Sequence, residues 1–221
     1  MTSPPFCPPK GEPLSVKRRE VGPKCPARGF RTMSEMSDSP PYGGHIRPTI
    51  KFMNIRRYYI PDAVYFITSV TKNRERIFES EKNIELFWET LCSAKNYYPH
   101  ELQSYVLLPD HFHFLIRPTD CSFSKLFQSL HRNFTLNYKQ LYSIKTNLQL
   151  WQHRFWDHVV RNEKDWQFHL NYIHYNPVKH GYVTRPEEWV NSSFRIWVQR
   201  GAYSIGWGHK EIEDLKKTNF E

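Results

Sequence analysis

From Ala63 onward the chain alternates between two kinds of apolar pattern. Ala63-Val64-Tyr65-Phe66-Ile67-Thr68-Ser69-Val70-Thr71 is a run of β-branched and aromatic residues, the composition of a buried strand. After Ser80, a capping residue, Ile84, Phe87, Trp88 and Leu91 recur at helical spacing and predict a helix to about Tyr97, which Pro99 stops. Leu102 to Leu108 and His111 to Ile116 read as two more strands, joined by a tight Pro109-Asp110 turn. Ser122 or Ser124 caps a second helix to about Leu141, apolar at Phe123, Leu126, Phe127, Leu130 and Phe134. A loop over 143–153 leads to a fourth strand, Arg154 to Val160. Asn162 then opens a helix from about Glu163, expected to end near Asn176 because Pro177 follows. The order β-α-β-β-α-β plus a late helix predicts an α+β fold with a ferredoxin-like (RRM-like) antiparallel sheet. Helices would cover one face of that sheet and leave the other open to a ligand.

The two ends of the chain read differently. Residues 1–52 hold ten of the sixteen prolines and few aliphatic side chains, too little apolar surface to offset the entropy of ordering. They form a disordered basic arm or, since Met53 stands directly before Asn54-Ile55-Arg56-Arg57, an upstream extension of a shorter protein. The domain proper spans 53–183. An aromatic segment with Trp189, Phe194, Trp197, Tyr203 and Trp207 occupies 184–221; it packs on the domain or stacks bases, and its last dozen charged residues read as a mobile end.

Charge sharpens this division. Of a net +9 over 221 residues, residues 1–60 carry +7, from 11 Lys/Arg against 4 Asp/Glu. Such an asymmetry suits a polyanion such as nucleic acid, or else a solvated tail. Lys72-Asn73-Arg74-Glu75-Arg76 adds a basic loop after the first strand, and Arg56 and Arg57 lie just ahead of it. Cys7, Cys25, Cys92 and Cys121 show no CxxC pair or zinc-ligand spacing and read as reduced thiols. No signal-peptide core and no run of about 18 apolar residues occurs, so a cytoplasmic location is expected.

Two stretches carry candidate chemistry. In Asp110-His111-Phe112-His113-Phe114, a strand sends His111 and His113 to one face and the phenylalanines to the other. Paired imidazoles there can converge on one metal ion or one phosphate, or be two ordinary sheet-face histidines. In Tyr172-Ile173-His174-Tyr175-Asn176, Tyr172 and Asn176 are four apart and share a helix face. Set against the histidines, these residues offer ligands for a metal (His111, His113, the Asn176 amide oxygen) and an oxygen nucleophile (Tyr172). Taken alone, Tyr172 reads as a core aromatic.

His111-Phe112-His113 resembles the HUH motif of single-strand DNA endonucleases, and Pro109 to Leu115 resembles the matching segment of REP-associated tyrosine transposases. These are relatives of the IS200/IS605-type single-tyrosine transposases. Arg154-Phe155-Trp156-Asp157-His158, Tyr172 to Val183 and Ser192-Ser193-Phe194 through Gly206-Trp207-Gly208 are similar to the same group, so the resemblance spans about residues 55–208. It implies a metal-dependent nuclease and strand transferase that acts on single-stranded DNA beside palindromic hairpins, as a monomer or homodimer. His111, His113 and Asn176 would hold Mg2+ or Mn2+. Tyr172 would be the nucleophile, with Tyr175 its rival, and Lys72, Arg74, Arg76, Arg56 and Arg57 would contact DNA. Such an enzyme would be cytoplasmic and associated with the nucleoid. Two other readings stand beside it. An RNA-recognition module would need a Lys/Arg-Gly-aromatic strand motif, which is not evident. A domesticated hairpin-binding protein would keep all the same residues.

Overall fold

The structure is a computed structural model, and it describes residues 60, 62–119, 123–204, 206–210 and 212–220. The readings made for residues 1–52 and for Arg56 and Arg57 lie outside the described residues. Four strands form one antiparallel sheet: β1 (Tyr65–Val70), β2 (His100–Leu107), β3 (His111–Pro118) and β4 (Trp156–Val159), in the order β2-β3-β1-β4. Helix α1 (Glu81–Lys95) connects β1 to β2, and α2 (Phe123–Leu141) connects β3 to β4. This is the ferredoxin-like arrangement the pattern predicts. β4 is shorter than expected. The residues ahead of it instead prolong the pairing of β1 irregularly, with Gln152 N–H donating to Val70 O at 3.0 Å.

The pleat decides which side chains meet which helices. Tyr65, Ile67, Phe112, Phe114 and Ile116 pack with Phe87, Leu91, Phe127 and Phe134 under α1 and α2. A one-residue slip of β3 would exchange Phe112 and Phe114 for His111 and His113. It would forfeit roughly 1.5–3 kcal/mol for each large apolar side chain brought out, so this core fixes the direction of the two imidazoles.

The opposite sheet face is not open. It carries Phe66, Val106, Leu108 and Leu115, and these are covered by helix α3 (Glu163–Lys179) and the C-terminal segment with α4 (Phe194–Gln199) and α5 (Glu213–Lys217). Both faces of the sheet are therefore apolar and packed, which is why all six residues of β1 are buried. Nor is the end of the chain merely a charged tail. Leu215 is buried, and Phe220 lies across Tyr172 with ring centroids 4.9 Å apart. Trp189, Phe194, Trp197, Tyr203 and Trp207 all join the core on this side.

Helix α3 starts as expected, with Asn162 Oδ1 accepting from Asp165 N–H at 2.9 Å. It does not stop at Asn176. Pro177 lies inside the last turn, where its missing N–H costs one hydrogen bond near an end that frays anyway. The helix ends three residues later. Gly181 at φ +69° lets Tyr182 N–H reach Pro177 O at 3.0 Å and Gly181 N–H reach Val178 O at 2.9 Å. No described helix is long and apolar enough to cross a membrane.

Candidate active site

His111 and His113 project from β3 toward α3, fully buried, with ring centroids 5.0 Å apart. Each is held by its Nδ1. His111 Nδ1–H donates to Asp110 Oδ1 at 2.6 Å, and His113 Nδ1 shares a hydrogen bond of 2.8 Å with Thr68 Oγ1 on β1. Asp110 is itself tied down: Arg74 Nη1 donates to its Oδ2 at 3.0 Å, and its carbonyl accepts from Thr71 N–H and Thr71 Oγ1–H. Burial alone would raise the Asp110 carboxyl, but the bonds to His111 and Arg74 outweigh it and hold it at about 2. With Nδ1 engaged from outside, the buried Nε2 of each ring is the atom presented to the interior.

Helix α3 brings the second half of the site. The Tyr172 ring meets His113 edge-on at 5.2 Å, and two turns later the His180 ring meets His111 at 5.1 Å. Asn176 lies between them on the same face and is fully buried; neither its Oδ1 nor its Nδ2 has a hydrogen-bond partner among the described residues. An unmet buried amide costs about 1–3 kcal/mol, an expense that a ligand for its oxygen would remove. Two imidazoles and an amide oxygen are a donor set suited to a divalent cation, so the residues present fit such an ion. Lys179 Nζ donates to the Tyr172 hydroxyl at 3.0 Å. Tyr175 points elsewhere: its hydroxyl accepts from Ile212 N–H at 3.4 Å and its ring packs on Trp207.

The basic loop borders this site. Arg74 is part of it through Asp110, Lys72 Nζ donates to Gln149 Oε1, and Arg76 pairs with Glu79 while its guanidinium sits 5.4 Å from the centre of the Tyr182 ring. The other histidines have separate tasks. His174 is fully buried among Ser104, Ser193 and Tyr203, and that burial lowers it to about 3. His158, Asp165 and His169 form the one His/Asp group among the described residues with the spacing of a metal site, their ligand atoms within 4.8 Å of one another. Hydrogen bonds already occupy it: His158 Nε2 to Asp165 Oδ2 at 2.9 Å, His169 Nδ1 to the Asp165 carbonyl at 2.8 Å, and Arg161 N–H to Asp165 Oδ2 at 3.0 Å. Sequence reasoning missed Asp110, Thr68 and Lys179. Lys179 could have been found, because seven residues from Tyr172 is two helical turns. Thr68 could not, because its place opposite His113 is a matter of strand register.

A family profile described as IS200-like transposase matches residues 60–176 of the chain. A REP-associated tyrosine transposase of Escherichia coli (strain K12) is 34% identical over 154 residues, covering 69% of this chain and 88% of the relative. The chain belongs to the IS200-like family of tyrosine transposases, in its REP-associated group. A relative in Haemophilus influenzae is also 34% identical, over 164 residues, with 70% and 93% covered. A solved structure of a REP-associated tyrosine transposase bound to a REP hairpin superposes with a TM-score of 0.61 at 31% identity, covering 73% of this chain and 96% of that one. The sheet order is thus that of a transposase fold.

Proposed function

We propose that this transposase cleaves and rejoins single-stranded DNA at or near REP-type palindromic hairpins, with Tyr172 as nucleophile and His111, His113 and Asn176 as ligands of Mg2+ or Mn2+. The observation that carries the reading is the convergence of Tyr172 and the buried, unsatisfied Asn176 of α3 on the face of β3 that carries both histidines. A divalent ion bound there would supply Lewis-acid polarisation of a phosphoryl oxygen. The protein's own residues do the rest. Asp110 and Thr68 hold the imidazoles in orientation, so that neither ring has to reorganise during the reaction. Tyr172 attacks phosphorus; the bond to the 3′-oxygen breaks, leaving a 5′-phosphotyrosine and a free 3′-hydroxyl. Attack by another 3′-hydroxyl reverses the step and joins strands, at little net cost because one phosphodiester replaces another. Lys72, Arg74 and Arg76 flank the site and would engage the DNA backbone. The place of action would be the cytoplasm, at chromosomal DNA.

Denaturing gels of labelled single-stranded hairpin substrate test this. The parent should form a covalent adduct, and Tyr172→Phe, which removes one oxygen and little volume, should form none while binding the hairpin normally. EDTA, His111→Ala or His113→Ala should also abolish the adduct, with manganese or magnesium restoring the EDTA-treated parent. An adduct that survives in Tyr172→Phe and disappears in Tyr175→Phe would refute the nucleophile; full activity in EDTA would remove the ion. A second reading, a hairpin-binding protein without transposition activity, draws on the burial of Tyr172, which is 1% exposed beneath Phe220. Tight hairpin binding with no adduct from the parent would select it.

A further inference from the structure

Resting on that assignment of Tyr172, we propose that Lys179 is a second catalytic residue, whose ammonium group stabilises negative charge on the tyrosine oxygen during both cleavage and rejoining. Seven residues separate the two, about 10.5 Å along the axis at the α-helical rise. Lys179 spans that gap because helical side chains slope back toward the N-terminus. Its Nζ donates to the Tyr172 hydroxyl at 3.0 Å and stands 5.0 Å from the centre of the ring, so both the oxygen and the π face of the nucleophile meet the same cation. This contact is partly buried. Phe66, His113 and Phe220 surround the Tyr172 ring, which is 1% exposed, while Lys179 is half-buried, so water screens the contact less than it would at an open surface.

The position of Lys179 is set by the end of the helix. It occupies the last residue of α3, behind Pro177 and ahead of the Gly181 turn. Had the helix stopped at Asn176, as the proline alone would suggest, no residue could reach the tyrosine oxygen from two turns below. The unusual continuation through Pro177 therefore has a chemical consequence.

In cleavage, the phenol proton is released to solvent, the phosphorus–Tyr172 oxygen bond forms, and the bond to the 3′-oxygen breaks with that oxygen taking a proton. Lys179 stays an ammonium throughout and donates to an oxygen that is more negative in the transition state than before it. In rejoining, the same oxygen is the leaving group, and the same hydrogen bond meets the charge it carries away. A donor that acts on both directions should change the two rates together.

The test measures single-turnover adduct formation, and resolution of the adduct by an added 3′-hydroxyl strand, at saturating DNA. Lys179→Met should slow both by about 100-fold, the scale of removing one transition-state donor, with melting temperature and hairpin affinity unchanged. Lys179→Arg should recover most of the rate, because a guanidinium can donate to the same oxygen. Lys179→Ala should be partly rescued by added ethylammonium, which a packing defect would not permit. Parental rates in Lys179→Met would overturn the proposal. So would a pure loss of affinity, which would make Lys179 a phosphate contact, or equal losses in Met and Arg with no rescue, which would make it a structural residue. Tyr172→Phe run in parallel separates the two readings: an adduct in that variant refutes the nucleophile, whereas its absence beside an unimpaired Lys179→Met refutes the lysine alone.

Discussion

A single side chain, His174, shows how this protein keeps polar groups inside an apolar layer. Its Nδ1 bonds to the Tyr203 hydroxyl at 2.8 Å and its Nε2 to the Ser193 and Ser104 hydroxyls at 2.9 and 3.1 Å. Burial leaves it neutral in the fold, its pKa lowered to about 3, while in the unfolded chain it titrates near 6.5. As pH falls below about 6.5 the unfolded state takes the proton first, so stability is lost progressively toward pH 3, by at most about 1.4 kcal/mol per pH unit for this one group. His169, whose pKa is also lowered by burial, acts in the same direction. Urea denaturation at pH 7.5 and pH 5.0 should show a stability loss that shrinks in His174→Gln, whose amide can still bond the serines but does not titrate. An undiminished loss in that variant would assign the acid sensitivity to other groups. At this scale the sequence was partly legible. His111 and His113 follow from period two, and Tyr172 with Asn176 from period four, because those spacings are set by the backbone alone. Thr68, Ser104 and Ser193 were not, since a hydroxyl acquires its task only when register brings a partner opposite.

At the scale of elements, strands and helices announced themselves wherever one face is apolar, as in α1 and α2. Helix α3 did not announce its surroundings. It is buried over nearly all of 169–177, with the sheet on one side and the C-terminal segment on the other, and the partners of His174 lie far away in sequence, at Ser104, Ser193 and Tyr203. Reading an open sheet face was the natural error, because the aromatic residues that cover it lie beyond the fold's last predicted element. Phe220 belongs to that cover. It stacks on Trp156 at 4.8 Å and on His169 at 5.3 Å, and meets Tyr172 edge-on. If Tyr172 is the nucleophile, a phosphate has to come within reach of a residue that is 1% exposed and lies against this ring, so moving Phe220 would open it. Phe220→Ala should therefore raise the rate of adduct formation several-fold while lowering the melting temperature by a few degrees. A lower melting temperature with an unchanged rate would mean that the ring caps the core and gates nothing.

For the molecule as a whole, most of the net charge lies in a stretch of sequence that precedes the site residues. Around His111 the cations are largely answered, Arg74 by Asp110 and Arg76 by Glu79, leaving long-range attraction for DNA to come mostly from elsewhere. Residues 1–60 hold +7 of the net +9. If this arm contacts phosphates, each contact releases condensed counterions, and the slope of log affinity against log salt should be steeper by about 0.7 per phosphate for single-stranded DNA. Deleting residues 1–52 should then weaken hairpin binding and flatten that slope, with the single-turnover rate at saturating DNA left as it was, because Phe66, His113 and Lys179, which meet Tyr172, are untouched by the deletion. The two quantities separate two kinds of electrostatics. A fixed cation within hydrogen-bond reach of the reacting oxygen acts on the rate and resists salt, whereas a basic arm acts on encounter and is screened over about 10 Å at 0.1 M salt. An unchanged slope after the deletion would show that the arm contributes no phosphate contact, and that Lys72 and the partly compensated arginines of the β1 loop suffice for binding.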